Sequence, residues 1–324
     1  METLHTKVVV VQPIHEVGMK ILNENIETVL LVGNGAPEAV LPVLDETVTG
    51  VLIRNSVFNR EMIERAPNLK VISRHGVGVE LVDLEAATEH GVLVVNAPEA
   101  TTESVAEHIV AMVMILGRKM LIAHKELRAG NFGVRDVYRP DDIGGKTIGF
   151  IGFGRIGRSA ARKCAGLGMR ILTYTRHGLP AADMEAGVEC CPSVEDLLQR
   201  ADFVSLNVPL TSETRHMIGA EQLALMKPTA YLINCARGSV VDEAALTAAL
   251  TCGQIAGAGL DVFEPEPPVR DNPLFKLDNV VVTPHSAAFT MQGKIRASRT
   301  AAQQLVDVLR GKVPQHLVNP NCLA

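Results

Sequence analysis

At 324 residues the chain is too long for one small module and, at roughly 100–200 residues per domain, reads as two domains. Hydrophobic residues at 47%, charged residues at 21% and a mean hydropathy of +0.18 exclude a disordered or fibrous chain. A net charge of -5 gives no basic field to hold a polyanion, so no nucleic acid is expected as a partner and a small molecule is.

In chain order, apolar runs at residues 8–11, 29–32, 51–53, 71–73 and 92–95 read as strands with helical segments between them. The runs are continuous rather than alternating, which predicts burial on both faces and hence a parallel sheet covered by helices. Asn96-Ala97-Pro98 breaks the rhythm, and residues 102–121 read as one long helix with an apolar face. A polar, irregular stretch follows over residues 128–145. A second α/β unit then restarts at Thr147–Ile151, with further strands at 171–174, 203–206, 231–234, 257–260 and 280–283. The last forty or so residues read as a helix and tail returning to the first domain.

The cysteines Cys164, Cys190, Cys191, Cys235, Cys252 and Cys322 form no C-x-x-C pair and read as reduced core thiols. No signal peptide opens the chain and no stretch approaches the ~18 apolar residues of a membrane span, so a cytoplasmic protein with no membrane partner is expected. His75, His108, His124 and His216 share no metal-ligand spacing, so no metal is expected; His108, inside the apolar helix, reads as a satisfied buried histidine.

Gly152-Phe153-Gly154-Arg155-Ile156-Gly157 follows one strand and opens a helix. In that context G-x-G-x-x-G is a dinucleotide loop, whose bare backbone lets a pyrophosphate reach the helix N-terminus. The next strand ends in Thr175-Arg176-His177, where an NAD enzyme would place a carboxylate for the ribose hydroxyls. Without that acid a 2′-phosphate is not repelled, and Arg176 and Thr175 suit it; NADP(H) is the expected cofactor and NAD(H) the second choice. The bland alternative is that Arg176 is a solvated loop charge.

Arg237, Glu266 and His285 each follow a strand of the second unit, at the edge where open α/β sheets bind ligands. A 2-oxo acid needs a fixed cation for its carboxylate and a proton donor for the developing alkoxide; arginine supplies the fork and histidine the proton. A carboxylate beside the imidazole orients it and favours its charged form.

Asn234-Cys235-Ala236-Arg237-Gly238, the run from Asp261 to Pro267 and Thr283-Pro284-His285 resemble, in order and spacing, signatures of the D-isomer-specific 2-hydroxyacid dehydrogenases. Arg74-His75-Gly76-Val77-Gly78, Asn96-Ala97-Pro98, Val105-Ala106-Glu107-His108 and Asn207-Val208-Pro209-Leu210-Thr211 match as well, most nearly its phosphoglycerate dehydrogenase and glyoxylate/hydroxypyruvate reductase branch. The resemblance implies an α/β fold of two Rossmann-like, doubly wound parallel-sheet domains with the active site in the cleft between them. The substrate domain would span 1–98 and 287–324 and the dinucleotide-binding domain 99–286, the latter carrying a homodimer contact on the long helix and residues 131–138.

The same resemblance implies that Arg237 binds the substrate carboxylate and carbonyl, that His285 is the acid/base and that Glu266, rather than Glu264, is its partner. Asp261 would lie near the nicotinamide, Asn207, Val208 and Pro209 would line the adenosine side, and Cys235, Ala236, His285 and Ala287 would also border the cofactor. The amides of Val77 and Gly78 would receive the substrate carboxylate. Ser286-Ala287-Ala288 stand where the family often has glycines, and no appended regulatory domain is expected.

Arg54 and Arg74, both at strand ends of the first domain, would add cations for a second anionic group on the substrate; the bland reading of Arg74 is that it packs beneath its own glycine loop. Arg135 and Arg139 read as solvated. The expected activity is hydride transfer between NAD(P)H and a small 2-oxo acid or D-2-hydroxy acid. The competing classes are a nucleotide-sensing, corepressor-like binding protein of the same fold and, within catalysis, formate oxidation.

Overall fold

The computed structural model describes residues 3–176 and 178–323. The chain folds into two compact units, one formed by the chain up to Thr101 together with the segment from Phe289 onward, the other running from Thr102 to Ala288.

In the first unit, strands β1 (Leu4–Val10), β2 (Ile26–Leu31), β3 (Val48–Ile53), β4 (Val71–Arg74) and β5 (Leu93–Val95) form a parallel sheet in the order β2-β1-β3-β4-β5. Successive side chains of a strand point to opposite faces, and here both faces are apolar. Val8, Val10 and Leu52 pack with Ala301, Leu305 and Val306 of the Met291–Leu309 helix, while Val9, Val51 and Ile53 meet Phe58, Met62 and Ile63 on the other side. That closing helix starts where Thr290 accepts from the Gly293 amide at 2.9 Å. β1 begins earlier than its valine run suggests. After Leu4 its leading residues are polar, and Lys7 is held by the Val43 carbonyl and Asp45 rather than by the core.

The second unit holds seven parallel strands: β6 (Thr147–Ile151), β7 (Arg170–Tyr174), β8 (Val188–Cys190), β9 (Phe203–Leu206), β10 (Tyr231–Asn234), β11 (Gly257–Leu260) and β12 (Val280–Val282), in the order β12-β11-β10-β9-β6-β7-β8. The chain leaves β6 one way through β7 and β8, then returns to β9 on the other side. The carboxyl ends of β6 and β9 therefore form the switch point where this architecture takes ligands. Ile148 and Phe150 pack on Ile109, Met112 and Val113 of the Thr102–Gly117 helix, and Val204, Leu232 and Leu260 on Leu197, Leu223 and Leu246.

The helix expected over 102–121 is two helices. The first stops at Gly117, Lys119 takes the left-handed conformation (φ 49°), and a second helix runs Met120–Arg128 into the stretch expected to be irregular, which also holds a turn of helix at Val134–Val137. Glycine favours helix interiors poorly and a left-handed residue terminates a helix, so the apolar pattern outlasts the element that carries it. β8 is an additional strand; three residues long with Glu189 and Cys190 exposed on a sheet edge, it has no apolar run to announce it. The cysteines are not uniformly core: Cys164 and Cys191 are buried, whereas Cys190 and Cys252 are exposed. Burial pushes the thiols of Cys164 and Cys191 up to about 12.

Candidate active site

The glycine loop joins β6 to the Arg155–Gly166 helix. Gly152 has φ +90°, and a Cβ there would lie 2.5 Å from the Asn207 carbonyl oxygen, so only glycine lets the loop lie against the segment after β9. Gly154 precedes the helix and, having no side chain, offers no cap to the first-turn amides of Arg155, Ile156 and Gly157. This fits a dinucleotide pyrophosphate, which would take those amides at the positive end of the helix dipole. Asn207 is oriented by the Ser205 hydroxyl at 3.0 Å, and Val208 and Pro209 follow it on the far side of β6.

Thr175 and Arg176 follow β7, next to β6; His177 lies outside the described residues. Arg176 forms an ion pair with Glu213, both side chains more than half exposed. Glu213 was invisible to the sequence reading, because nothing in a spacing of 37 residues signals the pairing.

The three polar residues of the other strand ends are set by short-range devices. Beyond β10 the buried Asn234 accepts from the Ala236 amide at 3.0 Å and donates to the Arg237 carbonyl at 2.9 Å, shaping the turn through Cys235 and Ala236. The Arg237 guanidinium donates to the Ala236 carbonyl at 2.8 Å. Gly238 then presses on the next loop: a Cβ there would fall 1.9 Å from the Phe263 carbonyl oxygen.

In that next loop Glu266 Oε1 accepts from the Phe263 amide at 3.0 Å, and Oε2 lies 2.8 Å from His285 Nδ1. Glu264 does not reach the imidazole; it is tied to Arg215 and, at 2.7 Å, to His216. The hydrogen bond that His285 donates to Glu266, then the charge of Glu266, raises the His285 pKa above its ordinary value against burial and the nearby Arg237. Burial alone would raise Glu266, but the hydrogen bonds from His285 and the Phe263 amide, with the His285 and Arg237 charges, hold it below the usual carboxylate range.

His285 itself is left-handed (φ 50°), a state that costs a side-chain-bearing residue on the order of 1 kcal/mol and must be held by its surroundings. Its amide donates to the Asp261 carbonyl at 2.8 Å. The buried Asp261 carboxylate accepts from Ser286 at 2.8 Å, from Ala287 at 2.9 Å and from the Thr283 hydroxyl, and His108 lies 3.0 Å from Thr283 Oγ1. His108 is half-buried rather than buried.

In the first unit, Arg54 follows β3 and donates to the Pro13 carbonyl at 2.8 Å. Arg74 ends β4 and donates to the carbonyls of Gly78 (2.9 Å) and His75 (2.6 Å), bracing its own loop from beneath. Asn96 holds the Val77 carbonyl at 2.7 Å, while the amides of Val77 and Gly78 have no acceptor among the described residues. His75, whose pKa burial and the charge of Arg54 lower to about 4, sits 2.8 Å from the Ser298 hydroxyl.

A glycine loop at a parallel-sheet switch point, with arginine, glutamate and histidine at neighbouring strand ends, defines a nicotinamide-dependent oxidoreductase. The model of the D-isomer specific 2-hydroxyacid dehydrogenase NAD-binding domain matches residues 110–287. The chain is 40% identical over 320 residues to the glyoxylate reductase of Korarchaeum cryptofilum, covering 97% of this chain and 96% of that protein. It is 43% identical over 316 residues to the D-3-phosphoglycerate dehydrogenase of Methanocaldococcus jannaschii, covering 97% of this chain and 60% of that longer protein. Its fold matches that of an NADPH-dependent glyoxylate/hydroxypyruvate reductase from Sinorhizobium meliloti, crystallised with NADP and malonate, with a TM-score of 0.84 at 27% identity over 98% of each chain. The chain belongs to the D-isomer-specific 2-hydroxyacid dehydrogenase family and is an NAD(P)-dependent oxidoreductase that transfers a hydride between NAD(P)H and a small 2-oxo acid or D-2-hydroxy acid.

Proposed function

We propose that the protein reduces a small 2-oxo acid of the glyoxylate or hydroxypyruvate type, with NADPH favoured over NADH, using Arg237, His285 and Glu266. The observation that carries this reading is the His285–Glu266 hydrogen bond, which occupies Nδ1 and leaves the imidazole Nε2 as the atom that gives and takes the proton. The bound nicotinamide supplies the hydride. Arg237 holds the substrate carboxylate and carbonyl in its planar fork. His285, charged through Glu266, gives the Nε2 proton to the oxygen on which negative charge develops and takes it back in oxidation. Glu266 keeps Nδ1–H directed at itself and compensates the imidazolium.

In the first unit we assign the amides of Val77 and Gly78 to a carboxylate, with Arg74 bracing their loop; Arg54, which donates to the Pro13 carbonyl, would serve a second anionic group only on a larger substrate such as 3-phosphohydroxypyruvate. Asp261, Cys235, Ala236 and Ala287 border the nicotinamide end in this reading, and Asn207, Val208 and Pro209 the adenosine end. The absence of an acid at Thr175 and Arg176 supports NADPH, and the ion pair to Glu213 limits the margin, since a 2′-phosphate must displace it. Exposed apolar side chains at Leu127, Phe132 and Val137 support a homodimer contact along the arm formed by the Met120–Arg128 helix and the stretch through Val134–Val137. A net charge of -5 supports a protein with no nucleic-acid partner, and a cytoplasmic location is part of the same proposal. No helix among the described residues is long and apolar enough to cross a membrane.

The test is a panel of glyoxylate, hydroxypyruvate, 3-phosphohydroxypyruvate and 3-sulfopyruvate, each with NADPH and NADH. Turnover of glyoxylate or hydroxypyruvate with higher kcat/KM for NADPH is expected; cofactor binding without turnover of any 2-oxo acid overturns the reading.

A further inference from the structure

We propose that His108 is a positioning residue for the His285 turn, donating its Nε2–H to Thr283 so that the Thr283 hydroxyl is committed to Asp261. The proposal rests on the assignment of His285 as acid/base and adds a group outside that constellation. Its ground is proton counting. The Asp261 carboxylate only accepts, and it is buried, with the amides of Ser286 and Ala287 on its two oxygens at 2.8 and 2.9 Å. The one Thr283 hydroxyl proton therefore goes to Asp261 Oδ1, and the same hydroxyl oxygen, 3.0 Å from His108 Nε2, has only acceptor capacity left. A neutral His108 can satisfy that contact in one tautomer alone, the one carrying hydrogen on Nε2.

The consequence falls on the segment between. Asp261 grips residues 285, 286 and 287 at once, through its carbonyl oxygen to the His285 amide and its carboxylate to the next two, so it holds His285 in its left-handed state. If Thr283 turned its proton elsewhere, Asp261 Oδ1 would lose one of its donors inside the core, where an unmet polar group is costly, and the turn would loosen. His108 comes from the Thr102–Gly117 helix, 175 residues away in sequence, and its 3.8 Å approach to Asp261 Oδ1 adds a favourable charge contact whenever the ring is protonated. The helix is thus more than a cover for the sheet; one of its turns reaches the loop that carries the proton donor.

The experiment has two arms on the full chain. In the first, [15N]histidine-labelled protein is examined by NMR, and His108, assigned by its loss in His108→Gln, is expected to carry its proton on Nε2. A proton on Nδ1 alone overturns the proposal whatever the activity, which separates its failure from that of the functional reading. The second arm measures glyoxylate or hydroxypyruvate reduction with NADPH. His108→Leu is expected to lower kcat about tenfold, the order of one well-placed hydrogen bond, with KM for NADPH within about twofold. His108→Gln, which keeps an N–H at similar reach, recovers most of the rate. Thr283→Val costs about as much as His108→Leu, and the double variant is no slower than Thr283→Val alone, because the two residues act through one chain. Parental kcat in His108→Leu, no recovery in His108→Gln, or additive losses in the double variant each overturn it. If His108→Leu does not fold, the tautomer measurement decides.

Discussion

His285 Nδ1 and Glu266 Oε2 stand 2.8 Å apart, and the two residues differ in what they do with their other polar atom. Glu266 Oε1 is fixed by the Phe263 amide at 3.0 Å, whereas His285 Nε2 has no hydrogen-bond partner among the described residues. The carboxylate is therefore anchored at both ends and the imidazole at one, the free end being the one that handles a proton. His285→Ala is expected to lower kcat by ~10²–10⁴, the usual worth of a positioned acid/base, while NADPH binding followed by fluorescence stays near parental. Turnover close to parental would remove His285 from this role.

The pH dependence follows from the raised His285 pKa. Reduction needs the protonated ring, so the rate is full below that pKa and falls as pH rises through it. Glu266→Gln removes the leading cause of the shift and moves the falling limb to lower pH. Glu264→Gln, whose carboxylate faces Arg215 and His216, leaves the limb in place. The two kcat–pH profiles check this, and the opposite pattern would reassign the partner.

Arg237→Lys is expected to lower kcat/KM for the 2-oxo acid by two orders of magnitude or more, because an ammonium is a point charge and cannot span two oxygens in a plane. Steady-state kinetics at saturating NADPH reads the loss. A change confined to less than tenfold would argue that charge alone suffices there.

For the cofactor, Thr175→Asp combined with Arg176→Ala is expected to weaken NADPH and strengthen NADH. Because Arg176 is more than half exposed, the parental preference is expected near tenfold and should shrink as salt rises. Glu213→Gln frees Arg176 and should widen it. Ratios of kcat/KM for the two cofactors in all three proteins decide the matter; a parent that prefers NADH overturns the assignment of Arg176.

Phe132→Asp with Val137→Asp, at 63% and 77% exposure, places charge on the apolar arm without disturbing a core. Sedimentation is expected to show a dimer for the parent and a monomer for the variant. A monomeric parent would overturn the homodimer proposal.

Legibility of the sequence tracked how far apart the interacting residues lie. β6, β9, β10 and β11 coincide with the expected runs, which are uncharged and buried along nearly their whole length, because parallel strands covered on both faces declare themselves that way. β8 declared nothing, being a short polar edge strand, and the break at Lys119 hid inside an apolar helical pattern that runs through it. The glycine loop and the three strand-end residues stood out because local spacing carries their chemistry. Glu213 beside Arg176 and His108 beside Thr283 did not, since only the sheet order brings those elements together.

The Met291–Leu309 helix has a consequence for how the chain is made. It covers Val8, Val10 and Leu52, and its Ser298 hydroxyl accepts from the His15 amide at 2.9 Å, so the strands of the first unit lack part of their cover until that helix has followed them off the ribosome. The Thr102–Ala288 unit is one continuous segment and has no such wait. Synthesis therefore imposes an order opposite to that of the sequence: the inserted unit matures first, and the sheet that precedes it holds an uncovered apolar face until the helix beyond that unit arrives, the interval in which a nascent chain most needs a chaperone.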